Sequence, residues 1–242
     1  MSLPEAGAPR RVLITGAAKR IGRTIAIELF RRGFQVAIHF NESREEAHEV
    51  SRACGNAPIF QADLSQVESI RRVFNQVRDE FGPLQFLVNN AARFTRINPL
   101  EMQEADWDAI HSVNLKAVFF CCQEAAKQML DGEGGRIVNI SSLGGIRPWA
   151  DHAHYCTSKA GVIMLTRVLA KAFAPRITVN SVAPGVILTS DAEPESEAMI
   201  AATPLKRAGK PEEVAEAVYF FLSAPHFITG QILAVDGGLS QR

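Results

Sequence analysis

No sign of charge dominates this chain: Lys and Arg total 26, and Asp and Glu total 26. It therefore carries no net basic field to gather nucleic acid or an anionic membrane surface. Cysteine is scarce, and Cys54, Cys121, Cys122 and Cys156 form neither a CxxC pair nor a regular framework. That excludes a disulfide scaffold and a cysteine metal site, and points to free thiols in a reducing compartment. No stretch of about 18 apolar residues runs uninterrupted, and Met1 to Arg11 lacks the apolar core of a secretory leader. Repeats, low-complexity segments and an interdomain linker are also missing. What remains is 242 residues, 47% of them hydrophobic, enough to bury one large core. The expectation is a cytoplasmic protein acting on small molecules, with a loose tail over 1–10 and a single domain over 11–242.

Short apolar, β-rich runs alternate with longer helix-period segments throughout, the pattern of repeated βαβ units feeding a parallel sheet. Strands are predicted at 11–15, 35–40, 58–61, 84–89, 135–140, 177–182 and 231–235, and helices at 21–32, 43–53, 67–81, 104–130, 153–173 and 211–222. The fold class is α/β: one doubly wound domain with a seven-stranded parallel sheet and helices on both faces. The stretch 186–210 breaks the alternation. Its Asp191, Glu193, Glu195 and Glu197 with Pro194 read as a surface excursion, placed at a strand's carboxyl end where such folds bind ligands. It is the natural substrate lid.

The first predicted strand ends in Thr15-Gly16-Ala17-Ala18-Lys19-Arg20-Ile21-Gly22 and passes at once into a helix. Glycines where backbone meets a helix N-terminus make a pyrophosphate seat, and Lys19 and Arg20 add positive charge. The turn departs from G-x-G-x-x-G, because Arg20 stands where a glycine is expected. The second strand ends in His39-Phe40-Asn41-Glu42-Ser43-Arg44. No carboxylate occupies the strand tip, Ser43 and Arg44 can hold a 2′-phosphate beside Asn41, and Lys19 or Arg20 can assist, so NADPH is favoured over NAD despite Glu42. Asp63 suits either an adenine amine or a helix cap with Ser65.

Tyr155 and Lys159 stand one helical turn apart on the same face. A lysine cation there favours the phenolate and lowers a tyrosine pKa that is ordinarily about 10, giving a phenol able to hand a proton to a carbonyl oxygen.

With the glycine turn, Asn89-Asn90-Ala91-Ala92, Asn114, Ser142 and the Tyr155/Lys159 pair all in order, the chain resembles the short-chain dehydrogenase/reductase family from about Arg11 to Leu239. Ser142 precedes Tyr155 by thirteen positions, as that family's catalytic pair requires. The ending Ile228 to Gln231 and Val235 to Gly238 resembles its tetrameric 3-oxoacyl-carrier-protein reductase branch. The resemblance implies a Rossmann fold and a homotetramer. It makes Tyr155 the proton donor or acceptor, Lys159 a ligand of the nicotinamide ribose, Ser142 the holder of the substrate oxygen and Asn114 the anchor of a water relay. It also implies cofactor contacts from Ile21, Leu64, Asn90, Ala91, Ile187 and the Pro184-Gly185 turn. Ser141 is the rival serine, expected to bond backbone or cofactor instead, and Thr157 and Ser158 are expected to pack.

The turn around Arg20, the phenylalanine Phe94 and the His39-Phe40-x-x-Ser43 segment resemble pteridine reductases, in which the arginine touches phosphate and pterin and the phenylalanine stacks on the pterin ring. Aromatic stacking beside a basic group suits a flat polar heterocycle. Pteridine reductases of the well-known kind carry an aspartate where this chain has Ser142, and a serine suits a carbonyl oxygen. The reading is thus an NADPH-dependent reductase of a small carbonyl or pterin-like substrate; the alternative is a 3-oxoacyl thioester or small ketone/alcohol dehydrogenase. Phe94 and Trp149 can each line the pocket or merely cover it. A nucleotide-binding sensor without turnover is the rival class, and the intact set of Asn114, Ser142, Tyr155 and Lys159 argues against it.

Overall fold

The computed structural model describes residues 10–188 and 196–241. The tail expected over 1–10 falls outside them save for Arg10, as do Asp191, Glu193, Pro194 and Glu195 of the expected excursion. Among the described residues the strands are β1 (Arg11–Ile14), β2 (Gln35–Phe40), β3 (Ile59–Gln61), β4 (Phe86–Asn89), β5 (Gly135–Ile140), β6 (Ile177–Pro184) and β7 (Ile232–Val235). They form one parallel sheet in the order β3-β2-β1-β4-β5-β6-β7. Val12 of β1 faces Val36 on one side and Phe86 on the other, so the direction of sheet growth reverses between β1 and β4. That reversal opens a crevice at the carboxyl ends of the strands.

The helices are α1 (Arg20–Arg31), α2 (Arg44–Ala53), α3 (Val67–Glu80), α4 (Glu104–His111), α5 (Ala117–Asp131), α6 (Ala153–Ala172), α7 (Ser196–Ala202) and α8 (Pro211–Ser223). Strand alternation divides the apolar residues between two cores: Val12, Ile14 and Ile38 meet Ile25, Leu29 and Val218, while Leu13 and Ala37 meet Ile70, Val73 and Cys122. Both faces are covered, which is why the strands read as near-continuous apolar runs rather than alternating ones. On α1 the buried positions Gly22, Ile25, Ala26 and Leu29 follow helical spacing. Each large aliphatic side chain buried this way contributes roughly 1.5–3 kcal/mol.

Two elements differ from the sequence expectation. The helix expected over 104–130 is interrupted by a π-turn at Ser112–Lys116, between α4 and α5. The wider turn lets α4 pack on α6 while α5 packs on α3. The stretch 186–210 contains a short helix, α7, and its ends are tied together: Leu188 N donates to Gly209 O at 2.9 Å, and Gly209 N to Val186 O at 2.9 Å.

Candidate active site

The crevice is a cavity of about 1160 Å³ running from the tips of β1 and β2 to the start of α6. At its nucleotide end Gly16 has φ +63°, and a Cβ there would lie 2.8 Å from Ala91 Cα. A Cβ on Gly22 would meet Gly16 O at 2.3 Å. Both glycines thus let α1 start hard against the turn. The Lys19 side chain does not cap α1, and a helix N-terminus of this kind suits an anion. Arg20, which replaces the expected glycine, adopts φ 50° itself, a glycine-like conformation that costs an ordinary residue roughly 1–2 kcal/mol. Asn90 braces this turn, its Nδ2 donating to Thr15 O and Gly16 O, each at 3.0 Å.

His39 is fully enclosed and works as a strut. Gly16 N donates to its Nδ1 at 3.1 Å, and its Nε2 lies 3.1 Å from Ala62 O, so the neutral Nε2–H tautomer satisfies both contacts. Burial pushes His39 down to about 4. An unfolded imidazole titrates near 6.5, so the unfolded chain binds more protons between those values, and stability is lost as pH is lowered across that window. The loss should approach roughly 3 kcal/mol by about pH 4. Urea unfolding of the wild type and of His39→Gln measures it; equal slopes against pH in both proteins would show that another group carries the loss.

Lys19, Ile21, Asn41, Asp63 and Leu64 all line the cavity, as does Glu42. Lys19 pairs with Glu46 at 2.7 Å. Asp63 accepts bonds from Ser65 N and Ser65 Oγ at 2.9 and 2.8 Å, so the turn with Ser65 and the place on the cavity wall coexist. Ser43 and Arg44 open α2 and are not part of the lining; Arg44 bonds Gln61 and lies 5.4 Å over the Phe40 ring. Pro184, Gly185 and Ile187 close the opposite wall.

The reacting end gathers where β5 meets α6. Lys159 is 3% exposed, and its Nζ donates to Ile140 O at 2.9 Å. Burial pushes it down to about 8. Ser142 Oγ accepts from Gly144 N at 3.1 Å and shares the cavity wall with Tyr155, whose pKa it lowers. Ser141, the rival, donates to Val182 O at 3.2 Å, as expected of a backbone-bonding residue. The expected lowering of the Tyr155 pKa is corrected here. Burial pushes the phenol up to about 12, Ser142 offsets only part of that, and the Lys159 Nζ sits 5.9 Å from the ring centroid with its proton aimed at Ile140. The phenol is held protonated, as a donor.

Two rings flank it. Phe94 meets Tyr155 edge-on at 4.8 Å and stacks on His152 at 5.0 Å, and Trp149 lies parallel to Tyr155 at 6.1 Å. Asn114 is fully buried in the π-turn; its Oδ1 accepts from Arg93 N at 2.8 Å, and its Nδ2 donates to Arg93 O at 2.9 Å and Ser158 Oγ at 3.3 Å. It fixes the wall that carries Phe94. Ser158 packs between them, donating to Tyr155 O at 2.7 Å, and Thr157 bonds Ala153 O on the helix surface. Sequence reasoning missed three contacts of this wall. Arg96 bonds Asp151 at 2.8 Å, Thr95 bonds His154 at 2.8 Å, and His152 stacks on Phe94. The available signal was their place just before Tyr155, but nothing local pairs them with 93–97. Among the described residues no group of His, Cys, Asp and Glu is arranged to hold a metal ion, and no helix is long and apolar enough to cross a membrane.

The model of a family described as enoyl-(acyl carrier protein) reductase matches residues 16–240. The chain is 38% identical over 241 residues to a 3-oxoacyl-(acyl-carrier-protein) reductase of Staphylococcus aureus, covering 95% of this chain and 98% of that one. It is 36% identical over 248 residues to a short-chain type dehydrogenase/reductase of Picea abies, covering 95% and 92%. Among solved structures, a doubly phenylalanine-to-leucine mutant of a Serratia marcescens short-chain dehydrogenase/reductase superposes with a TM-score of 0.90 at 33% identity, covering 98% of this chain and all of that one.

Proposed function

Because the chain belongs to the short-chain dehydrogenase/reductase family and is an oxidoreductase using a nicotinamide cofactor, we propose that it is an NADPH-dependent reductase of small carbonyl compounds, with 3-oxoacyl thioesters as the first class to try. The observation that carries this reading is the Tyr155 phenol flanked by Phe94 and Trp149 on the wall of the cavity that Ser142 and Lys159 also line.

The residues fit a dinucleotide. The N-terminus of α1 and the cradle at Gly16 would seat the pyrophosphate, and Pro184 and Gly185 would border the nicotinamide. When bound, the cofactor supplies hydride to the carbonyl carbon. Everything else falls to the chain. Ser142 Oγ orients the substrate oxygen, and Tyr155 donates its proton to that oxygen as charge develops on it. The Lys159 ammonium, on the same wall, would bond a ribose hydroxyl of the cofactor. Asn114 retains one carbonyl lone pair beyond its bond to Arg93, which is what an anchor for a water relay would use. Phe94, His152 and Trp149 keep bulk water from the phenol.

A pterin-like substrate is the second reading, favoured by the Phe94 ring, 52% exposed on the cavity wall. The homotetramer stands as a further proposal, supported by the exposed apolar side chains Trp107, Phe119 and Leu233.

NADPH oxidation against acetoacetyl thioesters, small ketones, quinones, dihydropteridines and dihydrofolate tests the substrate class. No oxidation with any carbonyl compound would end the first reading, and turnover of dihydropteridines alone would install the second. For the cofactor, Arg44→Ala should weaken NADPH about tenfold and NADH less than about twofold, since Arg44, which opens α2 just past the β2 tip, would pair with a 2′-phosphate bound there. Equal losses for the two would remove Arg44 from the phosphate site and leave Lys19 and Arg20 to hold it.

A further inference from the structure

His154 stands beside Tyr155 in the first turn of α6, yet no step above uses it. It is 0% exposed, and neither it nor Thr95, its partner, is among the residues lining the cavity. Its Nε2 lies 2.8 Å from Thr95 Oγ1, at the middle of the 93–97 loop. That loop carries Phe94, whose ring meets Tyr155 edge-on at 4.8 Å. The loop is also tied at its ends, through the Arg93 backbone to Asn114 and through Ile97 N to Asp151 O at 2.9 Å. Thr95 thus holds its centre, one residue from Phe94. His154 Nδ1 is buried and has no hydrogen-bond partner among the described residues. An orphaned buried N–H is rarer than an orphaned acceptor, so the proton belongs on Nε2, which donates to Thr95, and Nδ1 keeps a bare lone pair.

We propose that His154 is a positioning residue: through Thr95 it sets Phe94 against Tyr155, and it does so only as the neutral imidazole. A second proton would place an N–H on Nδ1 with no acceptor among the described residues, in a site closed to solvent. The cation is accommodated only if the loop gives way and the ring turns toward water. Groups on several elements bear on that proton. On α4, Asp106 attracts it and His111 repels it. Arg93 and Arg96 on the loop, and Asp151 and His152 before α6, line the cavity, where Arg96 and Asp151 pair. Burial is the largest influence and pushes His154 below the ordinary 6.5. The bond is therefore intact at neutral pH and lost as pH falls below about 6.5. Acid loosens the wall beside Tyr155 and leaves Ser142 and Lys159 in place. The proposal rests on Tyr155 as proton donor to a carbonyl substrate, and adds a residue that sets how well that substrate is held.

The test follows reduction of ethyl acetoacetate by NADPH, a ketone uncharged in acid and at neutrality, and amide hydrogen exchange over 93–97 in the protein alone. Losing one hydrogen bond should change each reading by about two- to twelvefold. Thr95→Val keeps the shape and drops the hydroxyl; it should raise KM by that factor at about pH 7.5, with kcat within about twofold. In the wild type KM should rise by the same factor between about pH 7.5 and about pH 5. His154→Gln, whose amide N–H stands about where the Nε2–H does but does not titrate, should keep KM within about twofold over that whole interval. The Arg93 and Ile97 amides should exchange about two- to twelvefold faster in the wild type than in His154→Gln at about pH 5, and equally at about pH 7.5. His39 is unchanged in both proteins, so its titration cancels. An equal pH dependence of KM in wild type and His154→Gln would overturn the proposal. So would Thr95→Val with KM unchanged, whatever its melting temperature, since that bond would then be structural only. If the Gln variant does not fold, Thr95→Val carries the comparison, because removing the partner should flatten the pH dependence of KM. Faster exchange in acid with no ketone reduced by the wild type would uphold the His154 tie and reject the carbonyl reading instead.

Discussion

Tyr155→Phe is expected to lower turnover by about 10²–10⁴-fold, the usual contribution of a positioned general acid, while NADPH affinity stays within about threefold. The substitution removes one oxygen and keeps the ring, so the edge contact with Phe94 at 4.8 Å and the parallel contact with Trp149 at 6.1 Å survive. Loss of activity then reports the missing donor rather than a collapsed wall. Steady-state rates and fluorescence titration of NADPH measure the two quantities, and unchanged turnover on every substrate would remove Tyr155 from the chemistry. The direction of the reaction bears on the same group. A phenol pushed up to about 12 is protonated throughout the neutral range, so reduction should hold steady between about pH 6 and about 8. Alcohol oxidation, which needs the phenolate, should climb over the same interval.

Gly16→Val is expected to cost the nucleotide site its shape. Gly16 occupies φ +63°, which a side chain makes unfavourable by roughly 1–2 kcal/mol, and a Cβ would press on Ala91 Cα at 2.8 Å. Ala91 is held by its N–H to Thr15 Oγ1 at 3.1 Å and cannot retreat without loosening β1 from β4. Backbone strain and the clash together should amount to about 3 kcal/mol, lowering Tm by roughly 6–12 °C for a chain of this size. NADPH affinity should fall by about 100-fold or more, because the N–H groups at the start of α1 are displaced from where the pyrophosphate binds. Thermal melts and titration check both, and an unaltered NADPH affinity would show that the turn is not the pyrophosphate seat.

Much of the fold was legible because the strands are buried on both faces. Runs such as Val36 to Ile38 and Leu87 to Val88 are apolar with no turn residue inside, and the boundaries of their strands fall within two residues of those expected. The glycine turn and the Ser142, Tyr155, Lys159 set were legible because each residue type is demanded by backbone geometry or by proton chemistry. The π-turn was not, since helical periodicity over 104–130 is barely altered by one extra residue. The wall built by Phe94, Arg96, Asp151 and His152 was not, because its contacts join segments more than fifty positions apart. The direction of the Tyr155 shift was misread for a related reason. Spacing places Lys159 beside the phenol, but only the packed structure shows the ammonium committed to Ile140 O and the ring shut in by its neighbours.

The π-turn at Ser112–Lys116 makes the number of residues in this segment matter more than which residues they are. It amounts to a one-residue insertion in an otherwise continuous helix. Removing any one of its five residues would let α4 and α5 merge, but it would turn everything upstream by about 100° and draw it in by about 1.5 Å. Asn114 would then point away from Arg93, and the loop bearing Phe94 would lose its anchor. Substitutions at Val113 or Leu115 act locally, on the cavity wall and the core edge in turn, whereas a single-codon deletion there changes which side chains face Tyr155.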